Sequence, residues 1–85
     1  MKKASILNYL VLFREEPEGG FTVLVPSLPG CVSYGETLDE AKKMAEEAIN
    51  LYIEDMEAEG EEIPTDEGVF SLSMSVTKPA KKEYA

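Results

Sequence analysis

Two residue types in this 85-residue chain could carry covalent or metal chemistry: its single cysteine and its seventeen carboxylates. A thiol nucleophile needs a base placed beside it, and the chain has no histidine. Cys31 therefore reads as a small buried hydrophobe rather than a catalytic thiol. One cysteine also excludes an internal disulfide framework and points to a reducing, cytoplasmic setting. Without histidine, a structural zinc site has too few ligands. Carboxylates could hold magnesium if spaced i, i+3 or i+4 and turned into a cavity, but most acids here fall off the apolar stripe of their helix. Gly19-Gly20 and Gly30 are isolated turn glycines with no Lys-Ser/Thr after them, so there is no phosphate loop. The expectation is a non-enzyme, with no catalytic, metal or cofactor-binding residue.

The acids say more as a field than as ligands. Eleven of them lie between Glu36 and Glu62 against Lys42 and Lys43, so this one segment carries the whole net charge of −9. A solvated helix face and a surface that steers a basic partner are both open, and they are compatible. Phosphates would be repelled, so nucleic acid is not expected as the direct partner. Lys2 and Lys3 at one end and Lys78, Lys81 and Lys82 at the other read as solubilising ends rather than an RNA-binding patch.

The chain is one small domain, 44% apolar and 29% charged, a globular composition that argues against whole-chain disorder. No apolar run reaches the roughly 18–20 residues of a membrane span. Met1-Lys2-Lys3 begins like a signal peptide, but Asn8, Arg14 and Glu15 interrupt the apolar stretch and no small-residue cleavage site follows.

Ser5 to Glu15 reads as a strand buried on both faces. Pro17-Glu18-Gly19-Gly20 is a turn, and Phe21 to Val25 alternates as a second strand. Pro26 to Gly30 is a tight connection, and Cys31 to Tyr34 a short third strand closed by Gly35. Thr37, with Glu40 three residues on, forms a capping box that opens a long helix, and Gly60 and Pro64 end it. Val69 to Thr77 alternates Phe70, Leu72, Met74 and Val76 against Ser71, Ser73, Ser75 and Thr77, the pattern of a half-buried strand.

The predicted class is α+β, in two layers: a four-stranded, mostly antiparallel sheet with one long helix on one face, in the order β-β-β-α-β. The last strand returns parallel to the first by a right-handed crossover. Residues 1–77 form the domain and 78–85 a short flexible tail. One helix covers one sheet face, yet the first strand is apolar on both. The remaining face must meet a second protein or another copy of this chain, as a homodimer or tetramer. Leu7, Tyr9, Val11 and Phe13 are the candidates for the self-associating face.

The series Pro26-Ser27-Leu28-Pro29-Gly30-Cys31, then Gly35-Glu36-Thr37-Leu38-Asp39-Glu40-Ala41, then a long acidic helix, resembles the HicB family of antitoxins. The turn Glu18-Gly19-Gly20-Phe21 and Ile63-Pro64 fit as well, so the likeness runs from about Tyr9 to Pro64. Ser27 departs from the pattern, which has Asp there. The resemblance implies a partial ribonuclease H fold without its catalytic acids. It also implies a small basic partner, a HicA-type ribonuclease toxin that cleaves messenger RNA. Many such antitoxins add a DNA-binding element at the C-terminus; only eight residues follow Thr77, so direct DNA binding is not expected. The expected function is neutralisation of the toxin by steric occlusion, the alternative an orphan homo-oligomeric domain of the same fold. Pro26, Pro29, Gly30, Cys31, Gly35 and Thr37 read as turn- and cap-forming residues. The toxin-interface candidates are Glu46, Glu47, Glu54, Asp55 and an exposed Leu28.

Overall fold

The computed structural model describes residues 6–80. Three strands precede one helix: β1 (Leu12–Glu15), β2 (Phe21–Leu24), β3 (Val32–Gly35) and α1 (Leu38–Ala58). The sheet is antiparallel, in the order β1-β2-β3. The α+β class and the β-β-β-α order are those the alternation and the caps predict. Gly19 and Gly20, both at positive φ, turn β1 into β2, a conformation other residues resist.

The register sorts the side chains. Phe13 pairs with Val23, and Val23 with Ser33, on the face towards the helix. Leu12, Leu24 and Val32 form the neighbouring row on the opposite face, because alternate residues of a strand point to opposite sides. On the helix side Val23, Ala41 and Ala45 make one buried cluster, joined by Val11 and Phe21. Val25, Leu28 and Cys31 make a second, closed by Tyr9, Val11, Ala48, Ile49 and Tyr52. Alanine at positions 41 and 45 lets the helix lie close to the sheet, and both are buried.

Both ends of α1 are built as the sequence dictates. Thr37 Oγ1 accepts from the N–H of Glu40 at 3.1 Å. The Glu40 carboxylate reaches back to the N–H of Glu36 at 3.0 Å, one residue before the cap itself. At the far end Gly60 is left-handed, with φ 70°. The N–H of Glu61 donates to Met56 O and that of Gly60 to Glu57 O, the paired bonds of a Schellman motif.

Two expectations are corrected. The first strand is shorter than 5–15, of which Ser5 lies outside the described residues, and is not buried on both faces: all four residues of β1 are exposed, and 6–11 belong to no strand. The reason lies in β2. Val25 N–H continues the ladder to the β3 side, on Cys31 O, so the next residue that would bond towards β1 is Pro26, which has no N–H to offer. The expected fourth strand, 69–77, pairs with nothing among the described residues. Phe70, Leu72, Met74 and Val76 are all exposed, so the sheet has three strands rather than four. The Cα radius of gyration is 17.8 Å, against about 12 Å for a compact chain of this length.

Candidate protein-binding surfaces

The motif residues build the scaffold under the surfaces. Leu28 N–H donates to Val25 O and Cys31 N–H to Leu28 O, both at 2.9 Å, so two β-turns run back to back. Pro26 presets the first. Pro29 and Gly30, with Gly30 at φ 81°, set the second in the manner of a type II turn. Between them the chain dips inward and drives Leu28 into the core, where it is 0% exposed. The expectation of an exposed Leu28 is thereby corrected: this side chain is a plug beneath the helix. An apolar residue held between two turn-forming prolines was the signal in the sequence. Burial raises the Cys31 thiol pKa, which keeps it protonated. Gly35 is equally structural, since a Cβ there would stand against the backbone of Ala41. The stretch Gly35–Ala41 is thus one strand-to-helix junction.

Leu7, Tyr9, Val11 and Phe13 do come together. They lie on the helix side and form one wall of an open groove of about 1020 Å³. Ala45, Ile49 and Ile53 of α1 form the other wall, Ile63 and Thr65 close one end, and Lys42, Glu46 and Glu57 stand on its rim. The face away from the helix carries instead the row Leu12, Leu24 and Val32, respectively 46%, 37% and 55% exposed. No spacing along the chain marks that row, because the pairing that aligns it is a matter of register.

The four acidic candidates are all exposed on α1 but do not form one patch. Glu47 and Glu54, seven residues apart, share one line on the outward side. Glu46 faces the groove. Nine residues at about 100° each put Asp55 on the opposite side of the helix from Glu46. Beyond the helix, hydrogen bonding with Glu61 and its charge hold the Glu59 carboxyl above its ordinary range.

The chain after α1 is latched to the segment before β1. Tyr9 Oη donates to Pro64 O at 2.5 Å, and Leu10 N–H to Asp66 Oδ2 at 2.5 Å. Burial, and then the Asp66 charge, raise the Tyr9 pKa above its usual value. The folded state therefore holds this proton more tightly than the unfolded state. The latch is complete below Tyr's ordinary value of about 10 and is lost as pH climbs through the raised one. The urea midpoint is expected to fall between pH 9 and pH 11, and to fall less in Tyr9→Phe. Equal falls in both proteins would show that Tyr9 does not govern the latch.

No described helix is long and apolar enough to cross a membrane. Among known proteins, a UPF0150 protein of Synechocystis sp. is 44% identical over 62 residues, 73% of this chain and 78% of that one. A UPF0150 protein of Thermoplasma acidophilum is 40% identical over 60 residues, covering 71% and 87%. An uncharacterized 14.9 kDa protein of Haemophilus phage HP1 is 37% identical over 70 residues, 82% of this chain and half of that protein. The family described as HicB_like antitoxin of bacterial toxin-antitoxin system matches residues 9–84, spanning turns, capped helix and C-terminal segment together. The chain belongs to the HicB-like antitoxin family.

Proposed function

We propose that this protein is the antitoxin of a toxin–antitoxin pair and neutralises a small basic HicA-type ribonuclease by covering its RNA-cleaving site. Family membership supports the toxin–antitoxin role. The observation that carries the choice of partner is the placement of charge: one segment holds the entire net −9, and its helix turns Glu47 and Glu54 to solvent on one line. A basic nuclease, whose own substrate is a polyanion, is steered onto such a surface much as it is onto RNA. The reading assigns binding rather than catalysis to this chain, and places it in the cytoplasm with messenger RNA.

A second reading, a homo-oligomeric domain that has no toxin, is favoured by the exposed apolar row Leu12, Leu24 and Val32. Pulling the tagged protein from its native lysate at low and high salt separates the two. The antitoxin reading expects a stoichiometric small basic protein that leaves at high salt; recovery of its own copies alone supports the second. With the toxin in hand, Glu47→Lys with Glu54→Lys is expected to weaken binding about 10–100-fold and flatten its salt dependence. Unchanged affinity and salt slope would remove this helix line from the interface.

A further inference from the structure

We infer that two copies of this chain exchange residues 69–77, each laying its C-terminal segment along β1 and into the groove of the other. Three features converge. First, Phe70, Leu72, Met74 and Val76 alternate with hydroxyl residues and are 93%, 79%, 73% and 84% exposed. A monomer leaves this row in water, which soluble chains avoid. Second, the place such a strand would fill is open. β1 pairs only with β2 among the described residues, so its other edge still offers N–H and C=O groups. The groove beside that edge is walled by Tyr9, Val11 and Phe13 on one side and Ile49 and Ile53 on the other. A strand added at β1 would point alternate side chains into it.

Third, a hinge precedes the segment. Asp66 is held at the edge by Leu10 N–H. Its carbonyl then accepts Val69 N–H at 2.8 Å, with Gly68 at φ 80° between them. That is a tight turn with glycine where positive φ is required, and the segment after it joins no strand of the described sheet. Asp66 Oδ1 is buried without a hydrogen-bond partner among the described residues, next to where an incoming strand would bring donors.

Charge is compatible with this segment as the occupant. Residues 69–77 hold no acid and Lys78 follows them, while the groove carries two acids, Glu46 and Glu57, against one base, Lys42. Exchange of an identical element between copies is a low-cost route to a dimer, and it completes in two chains the four-stranded sheet that one chain leaves short.

Sedimentation equilibrium of the full chain and isotope-filtered NMR on a mixture of 13C-labelled and unlabelled chains test this. The expected result is a dimer with intermolecular NOEs from the Leu72 and Met74 methyl groups to Tyr9, Val11 and Phe13. The double substitution Leu72→Glu with Met74→Glu, at positions exposed in the monomer, is expected to give a monomer with unchanged helix content. The proposal is overturned by a monomer with the same NOEs within one chain, since the segment then closes on its own sheet. A dimer that survives both substitutions also overturns it, and assigns self-association to the Leu12, Leu24 and Val32 row instead. Neither result bears on toxin binding, which the pull-down reads separately.

Discussion

Leu28→Ala is expected to destabilise the folded chain by about 3 kcal/mol, the cost of removing a fully buried leucine and leaving a cavity. The side chain is 0% exposed and packs with Val25 and Cys31 under Tyr52 and Ile49. A domain of this length holds only about 4–13 kcal/mol in all, so the loss is a large share of it. The melting temperature should drop by roughly 15 °C, measured at one protein concentration because self-association would add its own dependence. Leu28→Met keeps the volume and should cost about 1 kcal/mol. The alternative role for Leu28, a contact to the toxin, makes the opposite forecast: stability near wild type and binding lost. Measuring both quantities on the same two variants decides between plug and contact.

Gly35→Ala should be nearly as damaging, for a different reason. A Cβ at this position would stand against the backbone N of Ala41 and 2.5 Å from its Cα. No rotamer relieves that, because the obstacle is the first turn of α1 rather than a side chain. The helix must lift off β3, and with it go the contacts of Ala41 and Ala45 to Val23. A loss of roughly 3 kcal/mol is expected in urea unfolding, at the upper end for overpacking. The helix should still form, since only its first turn, at Glu40 and Ala41, meets the added Cβ and the remaining turns of α1 do not, so far-UV circular dichroism before unfolding should change little. Stability within 0.5 kcal/mol of wild type would mean that the junction is looser than the geometry indicates. The same substitution at Gly19, where a Cβ meets nothing within 4 Å, tests backbone conformation alone.

These two residues give the motif series a structural role: burial of Leu28 and close approach of the helix at Gly35. Leu28 and Gly35 set where the 26–30 loop and the helix sit. The surfaces they leave exposed are the outward line of Glu47 and Glu54, the groove, and the open sheet face. Antitoxin action in this reading depends on the motif indirectly, through the rigidity of what presents those surfaces.

Local chemistry made much of the molecule legible from the sequence alone. The capping residues Thr37 and Gly60 bound the helix because their requirements are met within a turn or two of chain. The positions of β2 and β3 follow from alternation and from the glycines and prolines that punctuate it. The concentration of acid in one helix, and with the motif series the family, need no coordinates. What the tertiary structure decided were the relations between elements. Leu28 looked exposed because a loop residue usually is; only the paired turns at Pro26 and Pro29 show it driven inward. Leu7, Tyr9, Val11 and Phe13 were legible as one alternating set, but that they face α1, while Leu12 joins Leu24 and Val32 on the far side, depends on a register set by the β1–β2 turn. Most of all, the alternation from Phe70 to Val76 predicts a strand, but the described sheet gives it no neighbour. Strand pairing is made by backbone groups that every residue carries alike, so which edge, and in which copy, is settled by the fold and the assembly rather than by the segment.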